Sequence, residues 1–181
     1  PGVVSQDGPA PVVVQGPELQ RSTSLQEICA HEDIIVHRVG NRIAMTARGL
    51  DTAYIGPWDE VSSSLAGHRL SGHDVKSTLR ELADQGFDVL APGSDSAIAS
   101  YLLDSSAGSY DLAAVASRYG AVSAAHREQS LFESEPTDEI LLEDLRAVCH
   151  LIEVLEPEID RLGIGQVYRS IELPLVAVLA R

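Results

Sequence analysis

Residues 72–120 read GHDVKSTLRELADQGFDVLAPGSDSAIASYLLDSSAGSYDLAAVASRYG, and their punctuation decides the fold. Asp74 is placed to cap a helix whose apolar residues Val75, Leu79 and Leu82 fall on one face, with Gly86 to end it. Residues 87–90 form a short apolar run, read as a brief strand, closed by Ala91, Pro92 and Gly93. Ser94 or Asp95 then starts a second helix carrying Ala97, Ile98, Tyr101 and Leu102. Ser109 or Asp111 starts a third, apolar at Leu112, Val115 and Tyr119.

Upstream, the pattern changes from helical to alternating. Two apolar runs, residues 33–39 and 42–47, are joined by Gly40-Asn41, a link short enough to force a hairpin. Residues 52–55 add a third strand, so an antiparallel meander is expected. Gly56-Pro57 ends it, and Pro57 suits the first turn of a helix through Val61 and Leu65. Gly67 breaks that helix and residues 68–70 make a fourth strand. Before the hairpin, Ser24 caps a short helix through Leu25, Ile28 and Cys29. Residues 1–20 are rich in proline and glycine and read as a linker, with residues 12–14 able at most to lend an edge strand.

Downstream, residues 121–136 are polar and acidic and read as a loop. Thr137 caps the longest helix, with Asp138 and Glu139 in its first turn and Leu141, Leu145, Val148, Ile152, Leu155, Ile159 and Leu162 along one stripe. A stripe that regular must be buried, against its own domain or in a coiled-coil dimer. Pro157 is expected to kink the helix or begin a second one, and residues 163–165 to end it.

With 181 residues, 44% of them hydrophobic, the chain is expected to bury one core, with the body at 21–165 and a tail at 166–181. The formal charge of −14, from 13 basic and 27 acidic residues, sets the average surface against a phosphate backbone. Arg38, Arg42, Arg48 and Arg69 are the one dense group of cations available for phosphate contact. Cys29 and Cys149, 120 positions apart, suggest reduced, partly buried thiols rather than a disulfide framework. No apolar run has the length of a membrane span and no leader opens the sequence, so a cytoplasmic protein is expected, with no membrane partner.

The segments GHDVKSTLREL, SDSAIASYLLDSSAGSYDLAAVASRYG and YRSIELPLVAVLAR resemble the 3'-5' exonuclease domain of bacterial DNA polymerase I, from residue 72 to the end of the sequence. The resemblance implies an α/β fold of the ribonuclease H-like (3'-5' exonuclease) kind, a mixed sheet flanked by helices. It also implies a parent enzyme that copies DNA, a polymerase palm after Arg181 and a 5'-nuclease domain before Pro1, with residues 166–181 starting the connection to the palm. Residues 173–179 are then expected to be poorly covered, because they would pack on the palm.

Editing exonucleases of this family align water with two divalent ions about 4 Å apart, which requires several converging carboxylates. The family's first pair, Asp-x-Glu, falls on the strand where this chain has His37, Arg38 and Val39, and no Asp-x-Glu occurs anywhere in the sequence. The second acid falls on Thr78. The third motif, Tyr-x-x-x-Asp, falls on Leu142 and Arg146, or a few residues away on Glu143 or Asp144. The expectation is a degenerate, non-catalytic domain: vestigial positions His37, Thr78, Leu142 and Arg146, no metal and no cofactor, serving as a scaffold that meets DNA only through the other domains. Two alternatives stand beside it, an active exonuclease using displaced acids such as Asp74, Asp95 and Asp144, or an unrelated α/β protein-interaction module. His68 and His73 lack metal-ligand spacing, Glu156, Glu158, Asp138 and Glu139 read as solvated surface or helix-dipole partners, and no phosphate-binding glycine loop is present.

Overall fold

The computed structural model describes residues 16–22, 24–123 and 135–181. The meander forms as the alternation requires: β2 (Asp33–Val39), β3 (Arg42–Ala47) and β4 (Thr52–Pro57) pair antiparallel in that order. Gly40, at φ +57°, supplies the left-handed turn residue between β2 and β3. β5 (Arg69–Gly72) adds to the free edge of β2 in parallel, and β1 (Gln20–Ser22) pairs in parallel with β4. The sheet is therefore mixed, in the order β1-β4-β3-β2-β5. The run at residues 12–14 lies outside the described residues, and the edge strand is contributed instead by 20–22, at the end of the segment read as a linker.

Side-chain parity divides the core between the two faces of this sheet. Ile35, Ala44, Ala53 and Ile55 face one layer of helices, whereas Ile34, Val36, Ile43 and Met45 face the other. The first layer is α4 (Ser96–Leu103), α5 (Leu112–Arg118) and the 24-residue α6 (Asp138–Arg161). The second contains α1 (Leu25–Ile28), α2 (Trp58–Val61), a 3-10 turn (Ser62–Leu65) and α3 (Lys76–Asp84). On α6, Leu141, Leu145, Val148, Ile152, Leu155 and Ile159 are all buried to within 1% of full coverage. Six such side chains contribute on the order of 10 to 15 kcal/mol gross, which fixes the helix on the sheet of its own chain. Leu162, read as a seventh member, is instead the half-exposed residue at the helix end, and Pro157 is accommodated without a break.

Several local expectations are corrected. Asp74 does not cap α3; it lies at φ +49°, a conformation Asp tolerates, and the cap position falls on Val75, which makes no side-chain cap hydrogen bond. Residues 87–90 form no strand, since the segment is pinned only at its ends, where the Phe87 N–H completes the end of α3 at Leu82 and the Gly93 N–H reaches Leu70. α4 buries Ser96, Ala99 and Ser100 and leaves Tyr101 half exposed, because the close approach of α6 admits only small side chains. The tail at 166–181 is helical throughout, as α7 (Gly165–Val167), a π-helical segment (Tyr168–Glu172) and α8 (Leu173–Ala180). Leu173, Val176, Ala177 and Ala180 are buried within the domain, so only one face of the run expected to be uncovered is exposed. The loop read over 121–136 lies largely outside the described residues, among which no helix is long and apolar enough to cross a membrane.

Candidate functional site

The site expected from the sequence lies where the C-terminal half of β2 meets α6. Ile35 and His37 share one face of β2, so His37 is carried toward α6 while Arg38 is turned to the opposite layer. There Arg38 lies 5.2 Å from the ring centre of Trp58 and 3.1 Å from Glu81. His37 Nε2 stands 3.5 Å from Asp144 Oδ2, and Ser123 Oγ donates to Asp144 Oδ1 at 2.6 Å. Asp144 is buried, which makes this polar cluster part of the interior rather than of the surface.

The helical repeat then decides the register of α6. Two residues beyond Asp144, Arg146 projects from another face and donates to the carbonyl of Leu19. With Leu142 it lines an open pocket of about 510 Å³ bordered by residues 16–20. Asp144, rather than Arg146, therefore stands opposite His37. Thr78 is buried within α3, which packs on the face of the sheet opposite α6. Among the described residues, His37 is the one of the four positions His37, Thr78, Leu142 and Arg146 that stands across from an acid of α6, Asp144.

The other acids proposed as displaced ligands have different work. Asp95 is fully buried, and its carboxylate accepts from the backbone N–H groups of Asp74, Val75, Ala97 and Ile98. It caps α4 and at the same time closes the entrance to α3. Burial pushes its pKa up, against the four N–H groups that favour the charged form. Asp74 is exposed. Beside them, His73 bridges Ser96 Oγ at 2.9 Å and the carbonyl of Tyr110 at 3.0 Å, and burial lowers its pKa to about 4. Tyr168 was not singled out in the sequence, yet its hydroxyl accepts from Asp95 N–H at 2.8 Å and lies 2.9 Å from Ser94 Oγ. No local pattern announces it, since its partners are more than 70 positions away.

A pair of divalent ions would require several carboxylate oxygens around one point. Among the described residues, the end of β2 brings together the imidazole of His37, the carboxylate of Asp144 and the hydroxyl of Ser123. Among the described residues no group of three or more His, Cys, Asp or Glu side chains is placed to hold a metal. The donors among the described residues do not fit the two-ion arrangement. The arginines considered for phosphate contact are also engaged: Arg42 with Asp138, Arg48 with both carboxylate oxygens of Glu156, Arg38 with Glu81, and Arg69 more loosely with Glu32. Asp138 and Glu156, read as solvated surface or dipole partners, thus tie α6 to the sheet.

The mixed sheet with an antiparallel meander, a parallel fourth strand and a long helix across it is a ribonuclease H-like fold of the 3'-5' exonuclease kind. Among solved structures, the POL domain of Pol1 from M. smegmatis, in complex with DNA primer-template and dNTP, superposes with a TM-score of 0.63 at 23% identity, over 88% of this chain and 31% of that one. Escherichia coli RNase D, an exoribonuclease involved in structured RNA processing, gives 0.58 at 14% identity over 90% of this chain and 50% of its own. Brucella melitensis NrnC with bound Mg2+ gives 0.53 at 14% identity, over 89% of this chain and 90% of that one. The chain thus spans about a third of the polymerase structure and half of RNase D. No family model and no curated protein matches it.

Proposed function

We propose that this chain is a non-catalytic, vestigial 3'-5' exonuclease domain serving as a structural scaffold in a bacterial DNA polymerase I. The parent would be a cytoplasmic DNA-directed DNA polymerase of replication and repair, with the palm after Arg181 and a 5'-nuclease domain before Pro1. The observation that carries this reading is the pairing of His37 with Asp144. At the strand position where the resemblance calls for the first carboxylate pair, an imidazole faces the acid of the long helix. Among the described residues a single carboxylate faces His37, and one carboxylate cannot offset the charge of two divalent ions. The displaced-acid alternative loses Asp95 as a ligand, because its oxygens already serve four backbone N–H groups.

The test is release of nucleotides from end-labelled single-stranded DNA in the presence of Mn2+, using repurified protein. The reading predicts no release above that of an Asp144→Asn variant. Release that survives repurification and disappears in that variant overturns it.

A further inference from the structure

We infer that residues 16–19 form a strap that opens and closes over α6, with Arg146 as its catch and β1 as its hinge. The segment is held on two sides of unequal strength. From Gln20 onward it is fixed by the parallel ladder with β4, where the Gln20 N–H donates to the Asp51 carbonyl, and by Arg21, which pairs with Asp138 at the start of α6. Ahead of Gln20 the ladder ends. There the Arg146 guanidinium donates to the Leu19 carbonyl, and the Leu19 side chain enters the core cluster that contains Leu145, Val148 and Cys149. Gly16 lies so close to α6 that a Cβ would collide with the Arg146 carbonyl oxygen, so this seat requires glycine.

What lies under the strap allows it to move. A cavity of about 210 Å³ is bordered by Pro17, Glu18 and Leu19 on one side and by Cys149 and Ile152 on the other. The pocket of about 510 Å³ beside Leu142 and Arg146 meets the same segment from its other flank. A stretch of chain between two cavities has fewer packed neighbours than the ladder behind it, which is the condition for opening locally. The catch is also lightly made: Arg146 Nε is buried without a hydrogen-bond partner among the described residues, so the guanidinium holds the strap through its bond to Leu19. Opening lifts Leu19 and uncovers Cys149 while β1 stays paired. The catch stands two residues from Asp144, which ties the strap to the helix that faces His37. Closed, the strap leaves Cys149 buried, and burial pushes its thiol up to about 12, so it is a silent reporter until the strap lifts.

The experiment follows alkylation of Cys149 by iodoacetamide in the 181-residue chain, in a background where the partly exposed Cys29 is changed to Ser. The expected result is slow labelling whose rate does not change at low urea, because lifting a short strap exposes little surface. Arg146→Ala should accelerate it roughly 10- to 100-fold, the weight of one charge-assisted hydrogen bond. Gly16→Ala, which keeps the catch but spoils the seat, should accelerate it as well. Hydrogen exchange at Ile35 and Ala44, in the centre of the sheet, should be the same in all three proteins. Labelling that neither variant changes overturns the strap. Labelling that rises steeply with urea, or in step with exchange at Ile35 and Ala44, shows that the thiol is reached by unfolding of the whole domain and overturns it equally. Should Arg146→Ala fail to fold, Gly16→Ala and the urea dependence of the parent decide the question by the same criteria.

Discussion

Asp95 is visible in the sequence as one of two possible caps for α4, and in the fold its carboxylate closes two junctions at once. The capping role was legible because it is local, residue 95 serving residues 97 and 98. The reach to Asp74 and Val75 was not, because it depends on β5 bringing residue 72 beside residue 95. Asp95→Ala should cost about 2–4 kcal/mol in denaturant unfolding, since it orphans four N–H groups in a buried site. Asp95→Asn, which keeps one acceptor oxygen, should cost less; equal losses would contradict the capping account. His73 supplies a pH-dependent term. Its pKa falls from 6.5 to about 4 on folding, so the unfolded chain takes up the proton first. The associated stability is fully present above pH 6.5 and is lost as the pH falls toward 4, by up to about 3 kcal/mol. A His73→Gln variant should lack that part of the pH dependence, and wild-type and variant stability curves that run parallel over the interval would refute it.

Elements with a strong period were readable from the sequence: the hairpin at Gly40-Asn41 emerges as expected, and so does the buried stripe of α6 apart from Leu162. Elements defined by what packs on them were less so. α4 looked apolar through Ile98, Tyr101 and Leu102, yet its inner face is Ser96, Ala99 and Ser100, two of whose hydroxyls bond His73 and Arg118. The tail was read as a connection lacking its partner, whereas half of α8 is covered by α3 and only the other half is open. Tyr168 is what couples this tail to the body. Tyr168→Phe removes the acceptor for Asp95 N–H in a buried site and should lower stability by about 1–3 kcal/mol. Native-state hydrogen exchange should then be faster at Asp95 and along α8. Unchanged exchange at both places would show that the hydroxyl holds neither.

At the scale of the whole molecule, the acidic balance anticipated from composition is reinforced by how the cations are used. Arg42, Arg48 and Arg38 join α6 and α3 to the sheet through carboxylates, which offset their charge toward a phosphate backbone. The chain alone should therefore show no saturable binding to single-stranded DNA by fluorescence anisotropy at physiological salt; saturable binding abolished by changing these arginines would contradict this.

The absence of an Asp-x-Glu was legible in the sequence as missing letters. Which residue of α6 faces His37 was not, because a helix register cannot be set by one strand's sequence; the fold puts Asp144 there and turns Arg146 to the carbonyl of Leu19. The central proposal is that Asp144, 3.5 Å from His37, does not assemble a divalent-ion site. Its most direct test is a titration with Mn2+ followed through the paramagnetic resonance signal of the free ion, comparing the chain with Asp144→Asn. The account predicts weak, non-saturating uptake that is the same for both proteins. Tight binding of one or two ions by the wild-type chain, lost in Asp144→Asn, would contradict it.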